Sequence, residues 1–282
     1  MNSMNKYTDL ELRIKSVSYR KSILKYIKKA NAGHTGGSLS CTDILNVLYN
    51  DVLNVSPETF SDPGRDRYIQ SKGHSVEAFY VVLADQDFFP ESDLETLLAY
   101  KSKFIGHPTR KVRGIEFNTG ALGHGLPISS GVALAAKLDK ADYKVYCLIG
   151  DGELAEGSNW EAAMMAAHYK LDNLVVILDH NALQITGPNR EVCSPYPIDE
   201  KFKSFGWEVV ETDGNNIPHL RKTFKRIPLV KGSPSLIIAN TTKGKGVSFM
   251  ENVKKWHHGA PSDEQYEQAN SELNSELERL QS

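Results

Sequence analysis

The stretch Cys147-Leu-Ile-Gly-Asp-Gly-Glu-Leu-Ala-Glu-Gly-Ser158, with the run Val175-Val-Ile-Leu-Asp-His-Asn181 after it, constrains this chain more than any other. Lys144 to Ile149 is a short apolar run that stops at Gly150, the pattern of a parallel strand buried on both faces. Gly150-Asp151-Gly152 is a turn. Ser158 and Glu161 have the spacing of a capping box, so a helix is predicted over Trp160 to Leu171, followed by a second buried strand from Leu174 to Leu178. Strand, helix, strand implies a right-handed crossover that brings Asp151 and Asn181 to the carboxyl ends of two parallel strands. A carboxylate and an amide oxygen at such a mouth suit a hard divalent cation, which takes its remaining ligands from phosphate and water. The following helix start favours bound phosphate, and the glycines beside Asp151 leave room for a diphosphate to approach the backbone. The local physics therefore reads as a metal-bridged diphosphate, without saying which one.

Composition narrows the class. In 282 residues, 40% are hydrophobic and 24% charged, which fits one large α/β domain, and the strand–helix–strand pattern implies a mostly parallel sheet with helices on both faces. We take residues 1–282 as that single domain, with a C-terminal helical extension from about 262, because no repeat or flexible linker divides the chain. The formal net charge of −2 and the scattered Lys and Arg residues give no basic footprint for nucleic acid. Cys41, Cys147 and Cys193 are odd in number and lack a C-x-x-C spacing, as reduced cytoplasmic thiols do. Neither a secretory leader nor an 18-residue apolar run is present, so no membrane role is expected.

Several glycine- and histidine-bearing segments line up along the chain. An amphipathic helix over Leu10 to Ala30 ends at Asn31-Ala-Gly33, and Gly33-His-Thr-Gly-Gly-Ser-Leu-Ser40 follows as a loop, with the next helix starting at Ser40 or Thr42. Asp66 to His74 reads as a strand running into a turn, with a helix from Ser75 to Ala84. Gly106-His107, then Gly120-Ala-Leu-Gly-His-Gly125 leading into the helix Pro127 to Leu138, come next. Beyond Asn181 lie a helix from Asp199, strands at Trp207–Glu211 and Ser235–Asn240, a loop Thr241-Thr-Lys-Gly-Lys-Gly246, and Trp256-His-His-Gly-Ala-Pro261.

Gly-Asp-Gly with an asparagine thirty positions after the aspartate resembles the thiamine-diphosphate motif, and the whole series resembles the N-terminal part of transketolases. Gly33-His34, Gly73-His74, Gly106-His107, Gly150-Asp151-Gly152 with Asn181, and His258-Gly259 occur in the family's order. Thr35 stands where the family has proline, and Ala121 and His124 replace its proline and glutamine.

The resemblance implies thiamine diphosphate with Mg2+, or another divalent cation such as Ca2+ or Mn2+, held by Asp151, Asn181 and the backbone carbonyl of Leu183. It implies cofactor contacts from His74, Gly120, Leu122, Gly152 and Glu156, and general acid/base or oxyanion roles for His34, His107 and His258. Glu156 matches the residue that in the family supports, across an interface, the glutamate activating the cofactor. His257, with His124, His168, His180 and His219, is expected to be structural or solvent-facing. The implied activity is transfer of a two-carbon ketol unit from a ketose, free or phosphorylated, to an aldose. Full-length transketolases are more than twice as long, so the chain resembles the N-terminal subunit of a split enzyme. A separate C-terminal subunit is the expected partner, with two copies of each. The alternatives are the α subunit of a 2-oxoacid dehydrogenase and a non-catalytic cofactor-binding subunit.

Overall fold

The computed structural model describes residues 6–282. Helices α1 (Asp9–Ala30) and α2 (Thr35–Val47) come first, the latter running on into a wider turn over Leu48–Val52. Then follow β1 (Arg67–Gln70), α3 (Val76–Asp85), α4 (Gly125–Leu138), β2 (Val145–Gly150), α5 (Gly157–His168) and β3 (Leu174–His180). The short α6 (Asn189–Val192), α7 (Ile198–Phe205), β4 (Glu208–Asp213), α8 (Ile217–Phe224), β5 (Ser235–Asn240) and α9 (Asp263–Gln281) complete the order.

The five strands pair in parallel throughout, in the order β1-β2-β3-β5-β4. Alternate residues of each inner strand enter different cores. Tyr146, Leu148, Val175, Ile177 and Ile237 pack with residues of α1, α2, α3 and α8, whereas Cys147, Ile149, Val176, Leu178 and Ile238 pack with α4, α5 and α7. Burial on both faces is why these strands are unbroken apolar runs instead of alternating ones. Among the described residues no helix is long and apolar enough to cross a membrane.

Register brings the motif residues together. Gly150 at the end of β2 lies opposite Asp179 of β3, so Asp151 and Asn181 leave neighbouring strands at the same edge, as the crossover reading expects.

Two element starts differ from the sequence reading. Helix α2 begins at Thr35, inside the stretch read as a loop. The Thr35 hydroxyl donates to the Gly259 carbonyl (2.7 Å) and Gly259 N–H donates to the Gly33 carbonyl (2.8 Å), fastening this start to the distant His-Gly segment. A Cβ on Gly36 would lie 2.8 Å from the Trp256 carbonyl oxygen, so this glycine serves close packing inside a helix, not a turn. The second difference is the expected Ser158–Glu161 capping box. Helix α5 starts at Gly157 without a side-chain cap, after a tight turn over Gly152–Ala155, and the Ser158 hydroxyl donates instead to the Gly123 carbonyl at 2.7 Å. By contrast, α9 carries the predicted capping box between Ser262 and Gln265 and lies against α1 with Ala269 and Leu273 buried.

Candidate active site

The mouth of the sheet opens into a cavity of about 290 Å³ whose lining includes Asp151, Gly152, Asn181 and Leu183. Asp151 is buried, and its carboxylate accepts backbone N–H bonds from Gly152 (2.8 Å) and Ala182 (2.5 Å). The Asn181 side-chain oxygen accepts from Leu183 N–H at 3.2 Å. Burial raises the Asp151 carboxyl above its usual range and the charge of Asp179 adds to this, with the Ala182 N–H opposing both. One carboxylate, one amide oxygen and one backbone carbonyl on a single cavity form a hard-cation donor set. A divalent cation would relieve the crowding of the two aspartates. Gln184 also lines the cavity, its buried Nε2 having no hydrogen-bond partner among the described residues. The residues present therefore fit a metal-bound diphosphate.

Buried polar contacts brace this mouth from beneath. The Lys72 ammonium pairs with Asp179, both side chains being essentially inaccessible, and also donates to the Gly37 carbonyl at 3.1 Å. Asp179 further accepts from the hydroxyls of Ser40 (2.6 Å) and Thr241. Burial alone would raise the Asp179 carboxyl, but Lys72 and these donors carry it below the usual range. Glu153 is buried and pushed upward by that burial; it accepts from the Ser71 hydroxyl and from Gly123 N–H (2.9 Å) and Gly150 N–H (3.1 Å). It thus pins the 120–125 loop to the end of β2. Within that loop Gly120 has φ of +145°, and a Cβ there would come 2.8 Å from the His107 ring. Only glycine fits.

Histidines from four segments converge above. The His34 ring centroid lies 4.6 Å from His258, 5.2 Å from His74, 5.8 Å from His257 and 6.1 Å from His107. Backbone N–H of His34 donates to Glu77, a buried carboxylate that also accepts from Ser38. Burial, then the neighbouring imidazoles His258 and His107, bring His34 down to about 4. Burial and the Lys243 charge bring His257 down to about 3, and burial depresses His74 and His107 as well. At neutral pH these four rings are uncharged, each with one N–H donor and one acceptor nitrogen.

His34, His74, Gly120, Leu122, Gly152, Asp151, Asn181 and Leu183 all line the cavity, with His107 and His258 against His34 at its rim. Glu156 stands apart as the exposed N-cap residue of α5, its stem against Gly123. His257 departs from expectation: it is half-buried in the cavity, stacked on His74 with centroids 5.2 Å apart and planes 22° apart. Lys72, Lys243, Glu153 and Asp179 were not singled out in the sequence. Lys243 is buried, donates to the Leu183 carbonyl at 3.0 Å, and is brought down to about 8 by burial and the Lys72 charge. Its one legible signal is its place in a glycine-flanked loop directly after a buried strand.

Comparison with known proteins gives the family. Residues 15–277 match the family described as transketolase, thiamine diphosphate binding domain. The chain is similar to one of the subunits of the apulose-4-phosphate transketolase of Phocaeicola vulgatus, at 48% identity over 270 residues covering 96% of each chain. It is 37% identical to a 6-deoxy-6-sulfo-D-fructose transketolase subunit of Clostridium sp., covering 95% of this chain and 98% of that one. The solved transketolase of Campylobacter jejuni superimposes with a TM-score of 0.86 at 29% identity, covering 98% of this chain and 46% of the other. With a matching family model over almost its whole length and with Asp151, Asn181 and the histidines gathered at one mouth, this chain belongs to the transketolase family as its thiamine-diphosphate-binding domain.

Proposed function

We propose that this chain is the diphosphate-binding subunit of a two-subunit transketolase, moving a two-carbon ketol unit from a ketose phosphate to an aldose phosphate. The observation that carries the reading is the meeting of a hard-cation donor set and a ring of neutral histidines on one cavity. Asp151, Asn181 and the Leu183 carbonyl would hold Mg2+, and Gly120, Leu122, Gly152 and His74 would border thiamine diphosphate. The cofactor supplies a nucleophilic carbon and an electron sink for breaking and making the bond next to a carbonyl. The chain's own residues supply proton transfer and orientation. His34 and His107, uncharged at neutral pH, can give or take a proton at the substrate's oxygens, and exposed His258 flanks them where substrate enters.

A partner chain completes the site in this reading. The relatives named as subunits match this chain end to end, whereas the chain spans about half the length of the solved one-chain transketolases. Glu156, exposed at the start of α5, would meet the partner's activating glutamate, and two copies of each chain would rebuild a symmetric enzyme. Apulose 4-phosphate is the donor to assay first, given the 48% relative. Ketol transfer is expected only when a C-terminal transketolase subunit, Mg2+ and thiamine diphosphate are mixed with this chain, and Asp151→Asn should abolish it. Transfer that survives Asp151→Asn, or 2-oxoacid decarboxylation in its place, would overturn the reading.

A further inference from the structure

His257 does more than fill space beside His258. Trp256 is buried with its indole N–H on the Phe249 carbonyl (3.1 Å), and its own carbonyl lies against Gly36. The chain leaving that anchor turns His257 into the cavity and His258 outward, so the two rings stand at 5.8 and 4.6 Å from His34. His257 stacks on His74, and its Nδ1 is 3.1 Å from the Lys243 ammonium. An ammonium has three donors and no acceptor, so Nδ1 must be the acceptor and the ring proton must sit on Nε2. Lys243 is thereby held between two acceptors, the His257 nitrogen and the Leu183 carbonyl, at the end of the cavity occupied by Asp151 and Asn181.

We propose that His257 is a positioning residue that fixes the Lys243 ammonium at the diphosphate end of the cavity, so that its charge is presented to an anionic ligand without first being ordered. A long lysine stem otherwise loses rotamer freedom on binding, and prior fixation removes that cost from the binding step. Stacking on His74 sets the plane of the His257 ring, and the Lys243 contact sets its tautomer. The inference rests on the proposed diphosphate site, but its first readout does not need a ligand.

Two-bond proton–nitrogen spectra of the full chain should show His257 neutral, protonated on Nε2, with an Nδ1 shift that moves in Lys243→Met. A proton on Nδ1 would overturn the proposal. The second readout is calorimetric binding of thiamine diphosphate with Mg2+ to the chain combined with a C-terminal transketolase subunit. His257→Phe keeps a ring on His74 but removes the acceptor, and should weaken binding roughly tenfold, as loss of a hydrogen bond to a charged group does. His257→Asn restores an acceptor and should recover most of the affinity. In a Lys243→Met background the His257 variants should be indistinguishable. Equal affinity of wild type and His257→Phe, or a His257 effect that persists without Lys243, would refute it. Lack of cofactor binding by the wild-type two-subunit complex together with the predicted tautomer would instead count against the diphosphate reading.

Discussion

Replacing Lys72 by Met tests whether the mouth is braced by its buried ion pair. The substitution keeps an unbranched stem of similar length and removes only the charge. Lys72 and Asp179 are 2% and 0% exposed, so Asp179 would be left as an uncompensated buried carboxylate. Breaking such a pair on one side costs about 3–5 kcal/mol. Asp179 would keep the Ser40 and Thr241 hydroxyls and a long contact from the Asn181 amide (3.4 Å), which argues for the lower end of that range. The Gly37 carbonyl loses a donor as well, about 1 kcal/mol more. A total loss of roughly 4 kcal/mol corresponds to a drop in Tm of roughly 7 °C for 282 residues at about 2.1 cal/mol/K each. The sign with pH follows from Asp179. In the wild type its carboxyl is held below the usual value, so the pair contributes stability above the unfolded pKa of 3.8, lost as pH falls through the lower folded value. Without Lys72 burial dominates and the folded value rises, so the variant's deficit should narrow as pH falls from 7.5 toward 5. Urea unfolding of both proteins at these two pH values measures the deficit. A difference under about 1 kcal/mol at pH 7.5, or one that widens on acidification, would refute the assignment of Lys72 as the brace.

The histidine ring makes a separate prediction of acid sensitivity. His34 and His257 sit at about 4 and about 3 against 6.5 when unfolded, so the unfolded chain takes up protons first and stability is lost as pH falls from about 6.5 toward 4. Between pH 6.5 and 5 the two together should cost roughly 1–2 kcal/mol, after halving for their partial exposure. His257→Phe should remove about half of that dependence in urea titrations, and an unchanged slope would count against it. Two glycines should respond oppositely to alanine. Gly120→Ala meets the His107 ring at 2.8 Å from a positive φ, and should destabilise the chain by about 1–3 kcal/mol and lower ketol transfer. Gly131→Ala, inside α4 with nothing within 4 Å, should raise stability of the isolated chain by up to about 1 kcal/mol. Thermal unfolding of the two variants side by side decides this.

What the sequence reveals depends on whether the cause is local. The inner strands are legible because burial on both faces demands uninterrupted apolar runs, and their ends are marked by Gly150 and by the polar residues Asp179 to Asn181. Asp151 and Asn181 follow from strand order alone. The start of α2 was not legible, since Thr35 begins a helix through its bond to Gly259, more than two hundred residues away. The same holds for Ser158, which fits a local capping rule yet bonds to Gly123 in another segment. The cavity role of His257 is not legible because nothing within Trp256-His-His-Gly says which ring turns inward; Trp256 packing against Gly36 decides it.

The same distinction makes the histidines legible in the sequence and their supports not. Each buried charge at the mouth joins strand ends or helices that are remote in sequence. Lys72 follows β1, Asp179 ends β3, Thr241 follows β5 and Ser40 lies in α2, and all four meet in one contact set. Glu153, after β2, ties Ser71 to Gly123, and Glu77 of α3 holds the His34 backbone. The apolar layers on the two faces fix the sheet but do not distinguish one residue at a strand end from the next. A slip of one residue between β2 and β3 would turn every side chain to the opposite face and separate Lys72 from Asp179. That slip would leave a buried charge unpaired at several kcal/mol, so the polar network reinforces the register in which strand order brings Asp151 and Asn181 to one point. The residues that specify the site's geometry are therefore remote from one another in sequence, and Lys72 and Glu153 among them also line the cavity.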